Sequence, residues 1–172
     1  MSKYEDLVAK SENWKDAGDL VEKMRNVRGA ADLAKGAKDN AADADTAADE
    51  LIKKMQALGN AVDGLANGAK GEAIAAKAAR DDARRATSEA LARKAADAAD
   101  QHKVKAQQLE EWSSIVKDVL ALTSQVIVNP IKKQYAGIVA TRAEVGAGTA
   151  HRYAERAKQA ATGARNIANT AG

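Results

Sequence analysis

The chain of 172 residues contains no cysteine and no phenylalanine, a single proline, two tryptophans and three tyrosines. Without cysteine, disulfides and thiolate chemistry are excluded. The surroundings that fit are a reducing compartment or a cysteine-poor assembled particle. The scarcity of aromatics makes a large globular core hard to build, because aromatic and branched side chains carry most buried area. Long apolar runs are missing too: no stretch reaches the ~18 residues of an ordinary transmembrane helix. The opening residues, MSKYEDLVAKSENW, are polar, carry Glu5 and Asp6, and lack the apolar region of a signal peptide. No run of alternating β-branched residues suggests a strand.

What remains is helix-forming. Hydrophobic residues make up 45% of the chain, much of it alanine. With Lys, Glu, Gln, Arg and Leu also abundant, helix is favoured nearly everywhere. The net charge is only +3, but it is unevenly spread. Residues 1–50 hold 8 Lys/Arg against 12 Asp/Glu, a net −4. Residues 51–100 hold 9 against 7, and residues 101–172 hold 10 against 5, giving +2 and +5. An acidic front and a basic back do not describe a uniformly basic nucleic-acid binder.

Alanine is placed with order. Ala136, Ala140, Ala143, Ala147, Ala150 and Ala154 follow one another at alternating steps of four and three, and Ala157, Ala161, Ala164, Ala168 and Ala171 continue the series. This is the a/d seam of a coiled coil, with one methyl at each site. A methyl seam packs only at short range, since a wider gap leaves the methyls touching nothing. A second ladder runs Ala30, Ala34, Ala37, Ala41, Ala44 and Ala48, then Leu51, Met55, Leu58, Val62, Leu65 and Ala69. It predicts a close partner near 30–48 and a more distant one near 51–65. A third opens at Ala76, Ala79, Ala83, Ala86 and Ala90, drifts through Leu91, Ala95, Ala98 and His102, and turns aliphatic at Leu109, Trp112, Val116, Val119, Leu120 and Ile127. The drift suggests a stutter.

Boundaries follow from local signals. Ser2 and Glu5 form a capping box that starts a helix at once, and Arg28-Gly29 suggests a bend. Gly59, Gly64, Gly68 and Gly71 crowd together beside Asn67, and each glycine costs about 1 kcal/mol of helix relative to alanine. They predict a hairpin bend at 67–71; the rival is a continuous helix with glycines giving close contact. Asn129-Pro130 breaks the helix, because proline lacks the amide proton and disfavours α geometry before it, and Pro130 suits the first turn of the next helix. The expected helices are roughly 2–28, 30–67, 72–129 and 130–169. Together they predict an all-α fold: one elongated domain of long amphipathic helices in antiparallel hairpins, an Ala-rich coiled-coil bundle.

No constellation for chemistry emerges. Neither His102 nor His151 has a Glu three residues before it, so the Glu-x-x-His of di-metal bundles is absent. His151 and Glu155 share a helix face and read as a surface ion pair. Gly146-Ala147-Gly148 follows no strand and reads as close helix packing or a kink, not a phosphate loop. Ser113-Ser114 has no base partner in view. The expectation is therefore no catalytic residue, no cofactor and no metal.

The candidate functional residues are those of an interface. On the acidic ladder they are Ala30, Ala34, Ala37, Ala41, Ala44 and Ala48. On the aliphatic stretch they are Leu109, Trp112, Val116, Leu120 and Ile127, and on the last seam Ala150, Ala154, Ala157, Ala161, Ala164 and Ala168. The flanking charges make Ala30–Ala48 and part of Ala136–Ala171 complementary partners, within one chain or between chains. The leading expectation is a non-enzymatic structural or scaffolding subunit that self-associates through these seams into a filament, tube or virion-type particle, in the cytoplasm or within the particle. Its partners would be copies of itself or other helical subunits. An alternative is a membrane-active protein inserting the apolar segment 119–131, with Trp112 as interfacial anchor. A third, ranked below these, is nucleic-acid packaging through the basic last helix, with Arg152, Arg156 and Arg165 on phosphates.

Overall fold

The computed structural model describes Leu33 and residues 45–171. Three helices hold almost all of them: α1 (Asp45–Arg85), α2 (Glu89–Val126) and α3 (Pro130–Thr170). No strand occurs among the described residues. The expected helix 2–28 and the Ala30, Ala34, Ala37, Ala41 and Ala44 part of the acidic ladder lie outside them.

The α2–α3 boundary falls where proline places it. Asn129 caps α3, its Oδ1 accepting from the amides of Ile131 at 3.0 Å and Lys132 at 3.1 Å, with Pro130 as first helical residue. Proline there loses a donor that would have had no intrahelical partner. The expected bend at 67–71 does not occur: α1 runs through those residues unbroken, and the chain turns at 86–88. The reason is burial. Leu65, Ala69, Ala73 and Ala76 keep the seam buried across the glycine cluster, so packing outweighs a cost of about 1 kcal/mol per glycine. The true turn has its own signal. Ser88 caps α2, its Oγ accepting from the amide of Leu91 at 3.2 Å, and Glu89 follows in the first turn.

The described residues form two compact units, each taking a stretch of every helix. In the first (Leu33, 45–65 and 111–147), the core is large and aliphatic. Leu51, Met55, Leu58, Val62 and Leu65 come from α1, and Trp112, Val116, Val119 and Leu120 from α2. Leu33 and Ile127 are buried here too. Cross-helix partners rise in number together: Asp49 with Lys132, Gln56 with Tyr135 and Asp63 with Arg142. Within this unit α1 and α3 therefore run the same way. Among the described residues Ser113 and Thr123 are the buried polar side chains. The Thr123 hydroxyl donates to the carbonyl of Val119 at 2.8 Å, which satisfies it inside its own helix.

In the second unit (66–110 and 148–171) the clustered core is alanine. One cluster joins Ala79 and Ala83 of α1, Ala92, Ala96 and Ala99 of α2, and Ala161, Ala164 and Ala168 of α3. Another joins Ala73, Ala76, Ala106, Ala154, Ala157 and Ala160. Here Glu110 pairs with His151, and Asp97 and Asp100 pair with Arg165, so α2 and α3 run in opposite directions.

On α2 the buried row differs from the expected one by a single residue. Ala92, Ala96 and Ala99 are buried, Leu91 is exposed, and Ala95 and Ala98 are only partly buried. The drift arises when the phase of Ala76, Ala79, Ala83 and Ala86 is carried forward across Ser88. The cap restarts the helix, and the turn resets which face points inward.

Candidate functional site

Every described member of the candidate interface is buried within the single chain. Ala48 on α1, Leu109, Trp112, Val116 and Leu120 on α2, and Ile127 beyond its end are almost inaccessible. So are Ala150, Ala154, Ala157, Ala161, Ala164 and Ala168 on α3. Ala136, Ala143 and Ala147 are buried too, while Ala140 is half-buried and Ala171 exposed. The buried methyls of the last seam from Ala154 to Ala168 thus pack against α1 and α2 of their own molecule.

Close approach shows most clearly at Gly146, inside the Gly-Ala-Gly run. A Cβ built there would lie 2.7 Å from Cγ1 of Val62 on α1. This glycine admits a neighbouring side chain, and α3 stays helical through it, so close packing is the reading the structure supports.

The apolar segment 119–131 divides between inside and outside. Val119, Leu120, Thr123 and Ile127 are buried, whereas Val128 and Ile131 are exposed. Among the described residues no helix is long and apolar enough to cross a membrane.

Polar pairs tie the helices laterally. Lys132 meets Asp49 at 2.9 Å and Arg142 meets Asp63 at 2.7 Å. Arg165 reaches both Asp97 and Asp100, whose hydrogen bonds, Asp100 first, raise its pKa and hold the guanidinium charged. His102 Nδ1 lies 2.6 Å from Glu72 Oε2. His151 does not rely on Glu155, as its helix face suggested. Its Nδ1 lies 2.7 Å from Oε1 of Glu110 on α2. That hydrogen bond, then the charge of Glu110, raises the His151 pKa above its ordinary 6.5; Glu155 contributes least. Sequence spacing finds partners on one helix and is blind to a partner on another.

A second apolar row appears on α3, one the sequence reading did not separate from the core. Ile131, Tyr135, Ile138 and Val145 follow at steps of four, three and seven, and all are exposed, Ile131 at 79%; Val128, just before the helix, is exposed as well. The seven-residue step passes over Arg142. The signal was present as a second four-three series beside the alanine seam. Next to it a groove of about 320 Å³ is lined by Gln56, Asn60, Tyr135, Ile138 and Arg142, with Gln56 Nε2 donating to the Tyr135 hydroxyl at 2.6 Å.

Among the described residues no group of three or more His, Asp or Glu side chains is gathered as a metal site. No protein family, no curated protein and no solved structure matches the chain.

Proposed function

We propose that the chain is a non-enzymatic structural or scaffolding subunit, an Ala-rich coiled-coil bundle of antiparallel hairpins that self-associates into a larger assembly such as a filament, tube or virion-type particle. The observation that carries the reading is the exposed row Ile131, Tyr135, Ile138 and Val145 on α3. Spaced at four, three and seven residues, on one helical stripe, it offers a helix-receiving face of the kind used between subunits. The seam alanines that are described are already buried in one chain, so association is assigned to this outer row. The occupant is a second copy. The acidic front and basic back of one chain attract the opposite ends of staggered neighbours, which selects partner and register more than it adds affinity.

Sedimentation equilibrium of the full chain over a micromolar concentration series tests this. The expected mass exceeds the monomer's 18.0 kDa and rises with concentration. Ile131→Glu with Ile138→Glu, both at exposed positions, should return it to the monomer value without loss of helicity. A wild-type chain that stays monomeric throughout overturns the proposal.

A further inference from the structure

Several cations among the described residues meet a carboxylate on another helix: Lys132 meets Asp49, Arg142 meets Asp63, Arg165 meets Asp97 and Asp100, and His151 meets Glu110. One cluster of cations differs. In the second unit, α1 and α3 flank a cleft of about 460 Å³ lined by Lys77, Arg80 and Arg156, with Tyr153, Gln159 and Ile74 among the other wall residues. No carboxylate lines it. Three like charges around one cleft give it a positive potential that favours an anion.

The partners these cations do have leave their donors available. Arg156 stacks over the Tyr153 ring at 5.2 Å, and a stacked guanidinium keeps its N–H edge for a ligand. Arg80 Nε is shielded from solvent yet has no hydrogen bond. Its nearest acid is its neighbour Asp81, at 3.8 Å and also facing Arg84. Lys77 has no ion pair among the described residues.

We infer that this cleft binds a small organic phosphate carrying two or more negative charges. Arginine pairs bidentately with phosphate oxygens and lysine adds a point charge. Exposed Ile74 and the Tyr153 ring supply an apolar wall for the organic part. The volume lies within the range of about 300–1,000 Å³ usual for small-molecule sites. A nucleic-acid duplex fits less well, because it needs a row of cations along its backbone. On α3, Arg142 and Arg165 are committed to acids, and Arg152 donates to the Thr149 hydroxyl. What remains is a cluster and not a stripe.

Calorimetric titration of the full chain with inorganic pyrophosphate, at ionic strength fixed with chloride, tests the site. The expected result is saturable binding at one site per chain. Lys77→Gln with Arg156→Gln should weaken it at least about tenfold, while Arg142→Gln leaves it intact. Lys77 and Arg156 are exposed, so helicity by circular dichroism should be retained in the double variant. Absence of saturable binding overturns the inference, and so does binding unchanged in the double variant or lost equally in Arg142→Gln. Parallel arms with vesicles containing phosphatidic acid and with duplex DNA separate the sources of phosphate. Retention on either one without pyrophosphate binding also overturns it.

Discussion

Gly146 and Gly64 are both helical glycines, yet opposite outcomes follow from replacing them. A methyl at Gly146 would lie 2.7 Å from the buried, branched Val62 side chain, which has little room to withdraw. Gly146→Ala should therefore lower stability by about 1–3 kcal/mol despite the helix propensity it gains. At Gly64 a Cβ meets nothing within 4 Å, so Gly64→Ala should raise stability by about 0.5–1 kcal/mol. Urea melts of the two variants check both signs, and a stabilised Gly146→Ala would show that Val62 can move. The sequence showed twelve glycines without ranking them. Which are close contacts depends on what the facing helix puts opposite, and that information is not local. The same holds for His151: its helical neighbour Glu155 was legible, its hydrogen-bonded partner Glu110 was not.

At the scale of the element, periodicity read the last helix closely. An expected 130–169 became Pro130–Thr170, because proline and an asparagine cap act locally. The alanine seam along it is buried nearly throughout. Ala154→Leu or Ala161→Leu should each destabilise the fold by about 1–3 kcal/mol, read as a lowered urea midpoint with unchanged slope. No effect at either site would mean that the helices part there at no cost. The first turn was misplaced for a physical reason. Glycine content near 67–71 measures intrinsic propensity, whereas α1 is held by a continuous buried face, and packing outweighs propensity when the two conflict. Thr87-Ser88-Glu89, a cap followed by an acid in the first turn, held the turn signal but lay inside a ladder of alanines that seemed to continue past it. That also explains the one-residue offset of the α2 row, since a turn between two periodic stretches frees their phases.

For the whole molecule, charge is the quantity that responds to solution conditions. The His151 pKa is raised by its hydrogen bond to Glu110 and by that carboxylate's charge. A group whose folded pKa exceeds its unfolded value adds stability below the unfolded value and loses it as pH rises through the folded one. The contribution is therefore present below 6.5 and fades on the alkaline side. With His151 59% exposed, solvent screening keeps the effect small. Thermal melts of wild type and Glu110→Gln should differ near about pH 5.5 and converge near about pH 8.5. A gap that is constant or widens with pH would assign the pair no protonation-linked role. High salt should also shrink this gap, while leaving the alanine clusters unaffected.

The sequence by itself determined that this protein is helical, which last helix it forms and which methyl face that helix buries. Those properties are set by abundant helix formers, by a single proline and by a regular apolar repeat, all of which act within a few turns of chain. Only the tertiary structure decided where α1 ends, which alanines of α2 face inward and which acid meets each cation. It alone showed that Lys77, Arg80 and Arg156 line a cleft without an acid, and that a second apolar row on α3 remains exposed. These depend on what a neighbouring helix places across a gap, and residues far apart in the chain carry no mark of that meeting.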